Sequence, residues 1–326
     1  MPLATISELP SLDQLPNNYL ISLDNYSAIS LSGEEQTKYL QGQVTCDATQ
    51  TTDNSLQIGA HCDAKGKVFS VFRLINRLST HLLLQPKDSL EVSLKELKKF
   101  GVFSKVTIEA TDHLAFMALV GSDASELLSQ HFPQIPDSLN QVVQHNSTTL
   151  VYLSSNQGCY LILDEKQSIA TLAAQFQLPI YHNAVWNLLE INQGFPLLSK
   201  EALNHYVPQM LNLQALNGIS FTKGCYLGQE TVARMQYLGK NKRALFTLEG
   251  KSSSPISPED TLEKQLGENW RKAGDIIAYY QADNGSCYLQ AVLSNDEEAS
   301  ILRLKLQPNS IFELKELPYS LTTESD

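Results

Sequence analysis

The sequence predicts a multi-domain protein of the α+β class that ends in a small antiparallel β-barrel. Three observations carry this expectation. The chain has 326 residues, more than one hydrophobic core usually organises, so two or three domains are expected. Between Asp112 and Gln177 strand-like and helix-like runs alternate as strand, helix, strand, strand, helix. That rhythm suits a compact α+β unit better than a doubly wound parallel sheet. From Arg243 onward, short strand-like runs are broken by the turn signals Asp283-Asn284-Gly285 and Gln307-Pro308-Asn309, the pattern of a small barrel.

The elements follow in order. Tyr19 to Leu31 alternates and is rich in Leu, Ile and Tyr, which predicts two short strands on either side of Asp24-Asn25. Ser32-Gly33-Glu34-Glu35 opens a helix, with acids in its first turn and Tyr39 and Leu40 facing inward. Ile58 to Cys62 and Lys67 to Ile75 flank a turn at Asp63 to Gly66 and read as a hairpin. Asp88 to Phe100 carries Leu90, Leu94 and Leu97 at helical spacing. The second unit holds a strand at Leu114 to Val120, a helix at Ala124 to Gln130, strands at Thr149 to Ser154 and Cys159 to Asp164, and a helix around Ser168 to Gln177. Beyond the Gly194-Phe195-Pro196 turn, Ile219 to Thr222 is expected as a short strand. It leads into the loop Lys223 to Glu230 (KGCYLGQE) and a helix from about Gly228 to Tyr237. No internal repeat or low-complexity tract interrupts this.

Composition narrows the function classes. No Lys or Arg precedes Lys38, so a signal peptide is not expected. No apolar run approaches the roughly 18–20 residues of a membrane span, so the expected location is the cytoplasm, away from membranes. Five cysteines, an odd number and widely spaced, are not a disulfide framework. They form no CxxC or Cys/His cluster, so no bound metal is expected. A net charge of −11 argues against direct nucleic-acid binding. The charge is uneven, however. Lys223, Arg234, Lys240, Lys242 and Arg243 face only Glu230 in their stretch, whereas Glu249 to the end holds fourteen acids and seven bases. Nothing asks for an obligate dimer, so a monomer is expected.

Three constellations could carry chemistry. In KGCYLGQE, Gly224 and Gly228 allow close backbone approaches, and the following helix turns free amides and a positive dipole end toward the loop. Cys225 sits in that field beside Lys223, and both effects favour a nucleophilic thiolate. The alternative is that Cys225 is a small core filler at a strand-to-helix turn. Tyr26 and Trp186 interrupt otherwise core-like segments. Their rings either line a slot for a flat heterocycle or simply pack. His61, Cys62, Asp63, Lys65 and Lys67 crowd one hairpin, which is either a solvated tip or a second wall facing Cys225. His182 and His205 are candidate bases for Cys225, and Cys46, Cys62, Cys159 and Cys287 read as core. No GxGxxG, P-loop or Ser/His/Asp signature occurs.

KGCYLGQE (Lys223, Gly224, Cys225, Tyr226, Leu227, Gly228, Gln229, Glu230) resembles the hallmark of the YgfZ family of folate-binding, tRNA-modification-linked proteins. Leu31–Ala48, Ala60–Ser70, Leu97–Ile108, Asn212–Phe221, Gly267–Gly274 and Leu317–Leu321 are similar to that family as well. The resemblance implies a three-domain ring on the aminomethyltransferase (T-protein) fold, with tetrahydrofolate or a one-carbon-substituted folate in the channel. It divides the chain into a folate-channel domain at 1–111, completed by about 205–240, a second α+β domain at 112–204 and the barrel at 241–326. It places Trp186 and Tyr26 (where a Trp is usual) against the folate. Ser70 and Val71 stand where the T-protein has an acidic pair, and Asn192 falls where it has a pterin-holding glutamate. An amide cannot pair with a charged donor as a carboxylate does.

The resulting expectation is a tetrahydrofolate-binding accessory protein supporting iron–sulfur enzymes and tRNA modification. Cys225 would be its reactive residue, held as thiolate by Lys223, and its partners would be folate and iron–sulfur assembly or tRNA-modifying proteins. The alternative is a folate-dependent one-carbon transferase or demethylase whose acid/base work has moved to Asp63, His61 or Glu190. A third reading is a direct RNA binder on the Lys223 to Arg243 patch. Whether the chain is itself an enzyme stays open.

Overall fold

Two sheets share one core, and the chain crosses between them at the first turn. The computed structural model describes residues 3–153, 157–239, 241–257, 259–295 and 301–321. Ser154 and Lys240 of the expectations above lie outside the described residues. Strand β1 (Asn18–Ser22) and β2 (Tyr26–Ser32) are both present but do not pair with each other. A Tyr26 N–H to Leu23 carbonyl bond of 2.9 Å closes the turn between them and sends β2 into the other sheet.

After α1 (Gln36–Gln41), which buries Tyr39 and Leu40, come β3 (Gln57–Cys62), β4 (Val68–Arg77) and β5 (Thr80–Pro86). They are followed by α2 (Lys87–Gly101) and β6 (Thr107–Ala110). The first sheet has the order β3-β4-β5-β2-β6 and all its pairings are antiparallel. Helix α2 has no internal breaker. Its Leu90, Leu94 and Leu97 stripe packs with Ile29, Leu31, Phe72 and Leu74 of the sheet.

The second sheet is built from β7 (Leu114–Gly121), then, after α3 (Ala124–Ser129), β8 (Val142–His145), β9 (Thr148–Leu153) and β10 (Cys159–Glu165). Helix α4 (Lys166–Phe176) and β11 (Ile180–Tyr181) follow. The order is β11-β1-β7-β10-β9-β8, so a strand from before residue 112 lies inside this sheet. Side-chain alternation divides its residues between two cores. Leu20, Met117, Leu119 and Ile162 meet α4 through Ile169 and Phe176. Tyr19, Ile21, Phe116 and Leu161 face the first sheet through Tyr26, Ala28, Ile75 and Leu84. At about 2 kcal/mol for each fully buried large aliphatic side chain, this shared layer is what joins the sheets.

Helix α5 (Asn183–Asn192), which the sequence reading did not identify, inserts Val185 and Trp186 into the shared layer. Helix α6 (Gln229–Tyr237) follows the KGCYLGQE loop. The C-terminal strands are β12 (Arg243–Lys251), β13 (Thr261–Leu266), β14 (Asn269–Gln281), β15 (Ser286–Ser294), β16 (Leu302–Leu304) and β17 (Gln307–Lys315). They close a barrel in the order β12-β15-β14-β13-β16-β17 around Leu248, Leu262, Leu289, Leu302 and Phe312.

Two local expectations are corrected. Ile219 to Thr222 forms no strand. It crosses below Val44–Cys46 with a Ser220 N–H to Thr45 carbonyl bond but no ladder. The Gln307-Pro308-Asn309 signal lies in the first residues of β17, where proline is tolerated, and the turn itself is at Lys305-Leu306. Asp283-Asn284-Gly285 does turn β14 into β15, with Gly285 at φ +82°. Among the described residues no helix is long and apolar enough to cross a membrane.

Between α2 and the first sheet lies a buried polar layer. The His61 ring Nδ1 shares a 2.9 Å hydrogen bond with Ser93 Oγ, Ser70 Oγ lies 3.3 Å from Ser93 Oγ, and His61 Nε2 finds no partner among the described residues. Burial drives the His61 imidazole down from 6.5 to about 4, so it is neutral in the native protein at pH 7. Between pH 6.5 and 4 the unfolded chain takes up a proton that the native one refuses, and stability falls as pH falls through that window. The loss reaches about 2 kcal/mol at pH 5. Urea midpoints at pH 7.5 and 5 should show this component in the wild type and lack it in His61→Leu.

Candidate functional site

The inter-sheet layer has a charged centre. Arg73 enters from β4 and Glu190 from α5, one turn beyond Trp186. Arg73 Nη2 donates to Glu190 Oε1 at 2.8 Å and Nη1 to Oε2 at 3.0 Å, while Nη1 also reaches the Tyr26 hydroxyl at 3.2 Å. The guanidinium lies 3.8 Å over the Phe195 ring and 5.9 Å from that of Trp186. Arg73, Glu190, Tyr26 and Trp186 are 6, 4, 4 and 2% exposed, so the pair is shielded from water and screened little by salt. Burial pushes the Glu190 carboxyl upward, and the Arg73 guanidinium pulls it back. Burial likewise lifts the Tyr26 phenol to about 12. Two polar atoms of this layer, Trp186 Nε1 and Tyr19 Oη, have no partner among the described residues.

Tyr26 and Trp186 do come together, but edge-on, with centroids 6.4 Å apart and planes at 75°. They do not frame a parallel-walled slot. Asn192 is not beside them. Residues 186 and 190 share a helix face, and 192 is turned away from it and exposed at the end of α5. The carboxylate of this helix that does face the layer is that of Glu190. Arg73 was overlooked, although one basic residue inside the apolar run VFSVFRLIN was a usable signal.

The KGCYLGQE loop forms a second locus. Cys225 is exposed, while Cys46, Cys62, Cys159 and Cys287 are buried. Together with Gly42, Gln43, Phe100, Tyr226 and Leu227 it lines a shallow cleft of about 330 Å³. Lys223 does not serve the thiol as expected. It is 9% exposed, and its Nζ donates to the carbonyls of Val44 at 2.8 Å and Cys46 at 2.7 Å while lying 5.0 Å from the Tyr226 ring. Burial lowers its ammonium to about 8. Its visible work is to clamp the loop against residues 44–46, aided by Leu227 N–H to the Gly42 carbonyl at 3.1 Å.

The two glycines differ in purpose. A Cβ on Gly224 would meet nothing within 4 Å, whereas Gly228 has φ +84° and a Cβ there would lie 2.5 Å from the Asp63 carbonyl and 2.8 Å from Gly66 Cα. The hairpin thus touches the loop through backbone. Of the two readings of the hairpin, the second wall facing Cys225 is not formed by its side chains. Asp63 Oδ1 accepts from the Lys65 and Lys67 amides at 2.8 Å each, Lys65 is exposed, and His61 is buried beneath α2. Gln229 begins α6, and Glu230 pairs with Arg234 at 2.7 Å, an exposed contact worth little. His182 caps α5 and His205 accepts Lys67 through its carbonyl. Neither contacts Cys225. Among the described residues no group of three or more His, Cys, Asp or Glu side chains is placed to hold a metal.

Comparison with known proteins places this geometry. Residues 241–307 match the family description "YgfZ, beta-barrel domain". The chain is 63% identical over 324 residues to the tRNA-modifying protein YgfZ of Colwellia psychrerythraea, covering 99% of this chain and 100% of that one. It is 39% identical over 326 residues to the protein of the same name from Yersinia enterocolitica, covering 99% and 97%. The fold matches the glycine cleavage system aminomethyltransferase T of Bartonella henselae with a TM-score of 0.72. That match covers 93% of this chain and 86% of that one at 12% identity, so it bears on fold alone.

Two outcomes follow from the two loci. Glu190→Ala strands a buried guanidinium and should lower unfolding stability by about 3–5 kcal/mol, read from urea melts; Arg73→Met added to it should restore part of the loss. Lys223→Met leaves the Val44 and Cys46 carbonyls unpaired. Thiol labelling should then show Cys46 opening to reagent, while the Cys225 rate changes less than about twofold. A Cys225 rate falling tenfold or more would return Lys223 to the activating role.

Proposed function

The chain belongs to the YgfZ family, and from that premise we propose that it is a tetrahydrofolate-binding accessory protein supporting tRNA modification and the iron–sulfur enzymes that perform it. The observation that carries the reading is the exposure of Cys225 alone among the cysteines, in a cleft apart from the buried acid/base groups. Such a thiol is presented to a macromolecule, a persulfide or a cluster arriving from outside. The relatives' name, tRNA-modifying protein, supports the process, and likeness to a folate-using transferase fold supports the ligand.

The residues of the polar centre fit a folate. Glu190 supplies a shielded acceptor for the donor edge of a pterin, Trp186 an indole N–H without a partner, and Tyr26 an aromatic wall. Folate itself would supply a one-carbon carrier. The protein's residues would bind and orient it, and the burial of Arg73, Glu190, Trp186 and Tyr26 would exclude water.

The transferase reading is weakened by the same geometry. His61 is buried against Ser93, Asp63 is engaged by its own turn, and Glu190 is paired with Arg73. None stands free to move a proton to or from a folate amine. The RNA reading has only exposed, partly paired bases such as Arg234.

Calorimetric titration of tetrahydrofolate should show binding to the wild type and equal binding to Cys225→Ala. In a strain lacking the gene, Cys225→Ala should fail to restore tRNA thiolation. Restoration by Cys225→Ala would remove the thiol from the function, and absence of heat in the wild type would remove the folate. Steady formation of methylene-tetrahydrofolate from methylated amines would establish the transferase instead.

A further inference from the structure

We propose that the apolar turn closing α2, Phe100 to Phe103, is a docking ridge for an acidic protein, which it seats over the Cys225 cleft. The inference rests on the reading of Cys225 as a thiol presented to an arriving macromolecule. It adds the class of that macromolecule and the surface that receives it.

Phe103 is 93% exposed, the highest value for a large apolar side chain among the described residues, and Val102 and Phe100 follow at 70 and 40%. Single exposed apolar residues are ordinary, but neighbours in one patch mark an interaction surface. The patch is continuous with the thiol site, because Phe100 lines the cleft together with Cys225, Tyr226 and Leu227. Gln43 lines it too, and its Oε1 is buried with no partner among the described residues. That atom is an acceptor for an N–H group arriving with a bound segment.

The ridge is held stiffly. The Ser104 N–H donates to the Gly101 carbonyl at 3.0 Å and the Val106 N–H to that of Ser104 at 2.8 Å. Tyr39 Oη donates to the Leu97 carbonyl at 2.5 Å, and a Cβ on buried Gly101 would lie 2.7 Å from Ile108 Cδ1. A base packed this closely presents Val102 and Phe103 with little backbone entropy left to lose on binding.

Charge selects the partner. Residues 95–105 hold Lys95, Lys98, Lys99 and Lys105 against Glu96 alone. Lys99 pairs with Glu96 at 3.4 Å and Lys105 with Glu34 at 2.8 Å, while the neighbouring Glu35 pairs with Lys38. Lys95 and Lys98 are exposed and have no ion partner among the described residues; Glu91, one turn before Lys95, makes no ion pair with it. The ridge is thus locally positive on a chain of net charge −11. An apolar socket bordered by Asp or Glu complements it, with Val102 and Phe103 supplying contact area and the lysines steering the approach. Two such ammonium groups are too few for an RNA backbone, whose binding scales with the phosphates neutralised. The overall charge opposes an anionic bilayer. The patch is small, so the encounter is transient.

The test is photo-cross-linking in cells from Phe103→benzoylphenylalanine, which keeps an aromatic ring at the tip, with the cross-linked peptide identified by mass spectrometry. The expected product is a peptide of another protein with more acidic than basic residues. Its yield should fall about fivefold or more when Lys95→Glu/Lys98→Glu is added. Val102→Ser/Phe103→Ser changes only exposed side chains, so it should keep the melting temperature and, within about twofold, the rate at which iodoacetamide alkylates Cys225. It should nevertheless lower tRNA thiolation about tenfold in the strain lacking the gene. Cross-links to a neutral or basic peptide, to a second copy of this chain, to nucleic acid, to lipid or to nothing would overturn the proposal. So would a yield indifferent to the charge reversal, or full thiolation by the serine variant. None of those results touches the thiol reading, which Cys225→Ala decides. If Cys225→Ala restores thiolation while the acidic cross-link persists, the ridge stands and the role of the thiol falls.

Discussion

The contact between Arg73 and Glu190 joins parts of the molecule that nothing else in the local sequence would bring together. Arg73 belongs to the first sheet and Glu190 to a helix that packs on β1, β14 and β15. The bidentate ion pair therefore ties the first sheet to the helix that itself packs on the barrel. The link continues through Phe195, whose ring lies under the guanidinium. Its carbonyl accepts from Gln290 Nε2 at 2.7 Å, and Gln290 Oε1 takes the Leu197 amide at 3.0 Å. Gln290 is fully buried in β15, so a single amide holds the segment after α5 against the barrel. Asn212 does the same at β12, exchanging bonds of 2.7 and 3.1 Å with the Leu245 carbonyl and amide. Tyr319 adds a 2.6 Å bond to the Gly194 carbonyl.

A buried ion pair is a poor way to gain stability, because desolvation offsets most of the attraction, and hydrophobic residues of equal volume usually serve as well. Its presence among Tyr26, Trp186 and Phe195 has to be explained by something other than stability. What it provides is direction. Both carboxylate oxygens and the guanidinium plane are held in known orientations, in the same layer as an indole N–H that has no partner among the described residues. Unsatisfied buried donors are uncommon and costly, and here one lies on the same helix face as the carboxylate.

Much of this was legible in the residues. The strands carry alternating apolar positions, α2 carries its leucines at helical spacing, and the barrel was announced by short runs and by Asp283-Asn284-Gly285. The KGCYLGQE segment singled out Cys225 through its resemblance to a known family, whereas its glycine spacing alone fitted a core filler as well, and the structure shows that thiol exposed. The misses share a cause, in that each depended on a partner distant along the chain. Asn192 was placed by counting from a motif, whereas the helical phase of α5, anchored by Trp186 in the shared core, turns Glu190 inward. Lys223 was read as a neighbour of Cys225 because they are two residues apart, but its ammonium bonds carbonyls about 180 positions earlier. His61 looked solvated because it precedes a turn, yet the alternation of β3 points it under α2. Local pattern sets which element forms, and tertiary packing decides which side chain faces what.

The two loci are chemically unlike, and the difference constrains how they can cooperate. The centre at Arg73 is rigid, dry and charged, suited to holding a ligand in one pose. The loop at Cys225 is clamped at its base by Lys223 and Gly228 and is open at its tip, where Gly224 has no atom within reach of a Cβ. Between them runs β4, with Arg73 near its middle and the Asp63–Gly66 turn at its start, and that turn is in backbone contact with Gly228. A ligand that shifted Arg73 would act on the strand whose first turn bears on the thiol-carrying loop. A Cβ at Gly228 would lie 2.8 Å from Gly66 Cα, so the contact admits no larger residue at that position.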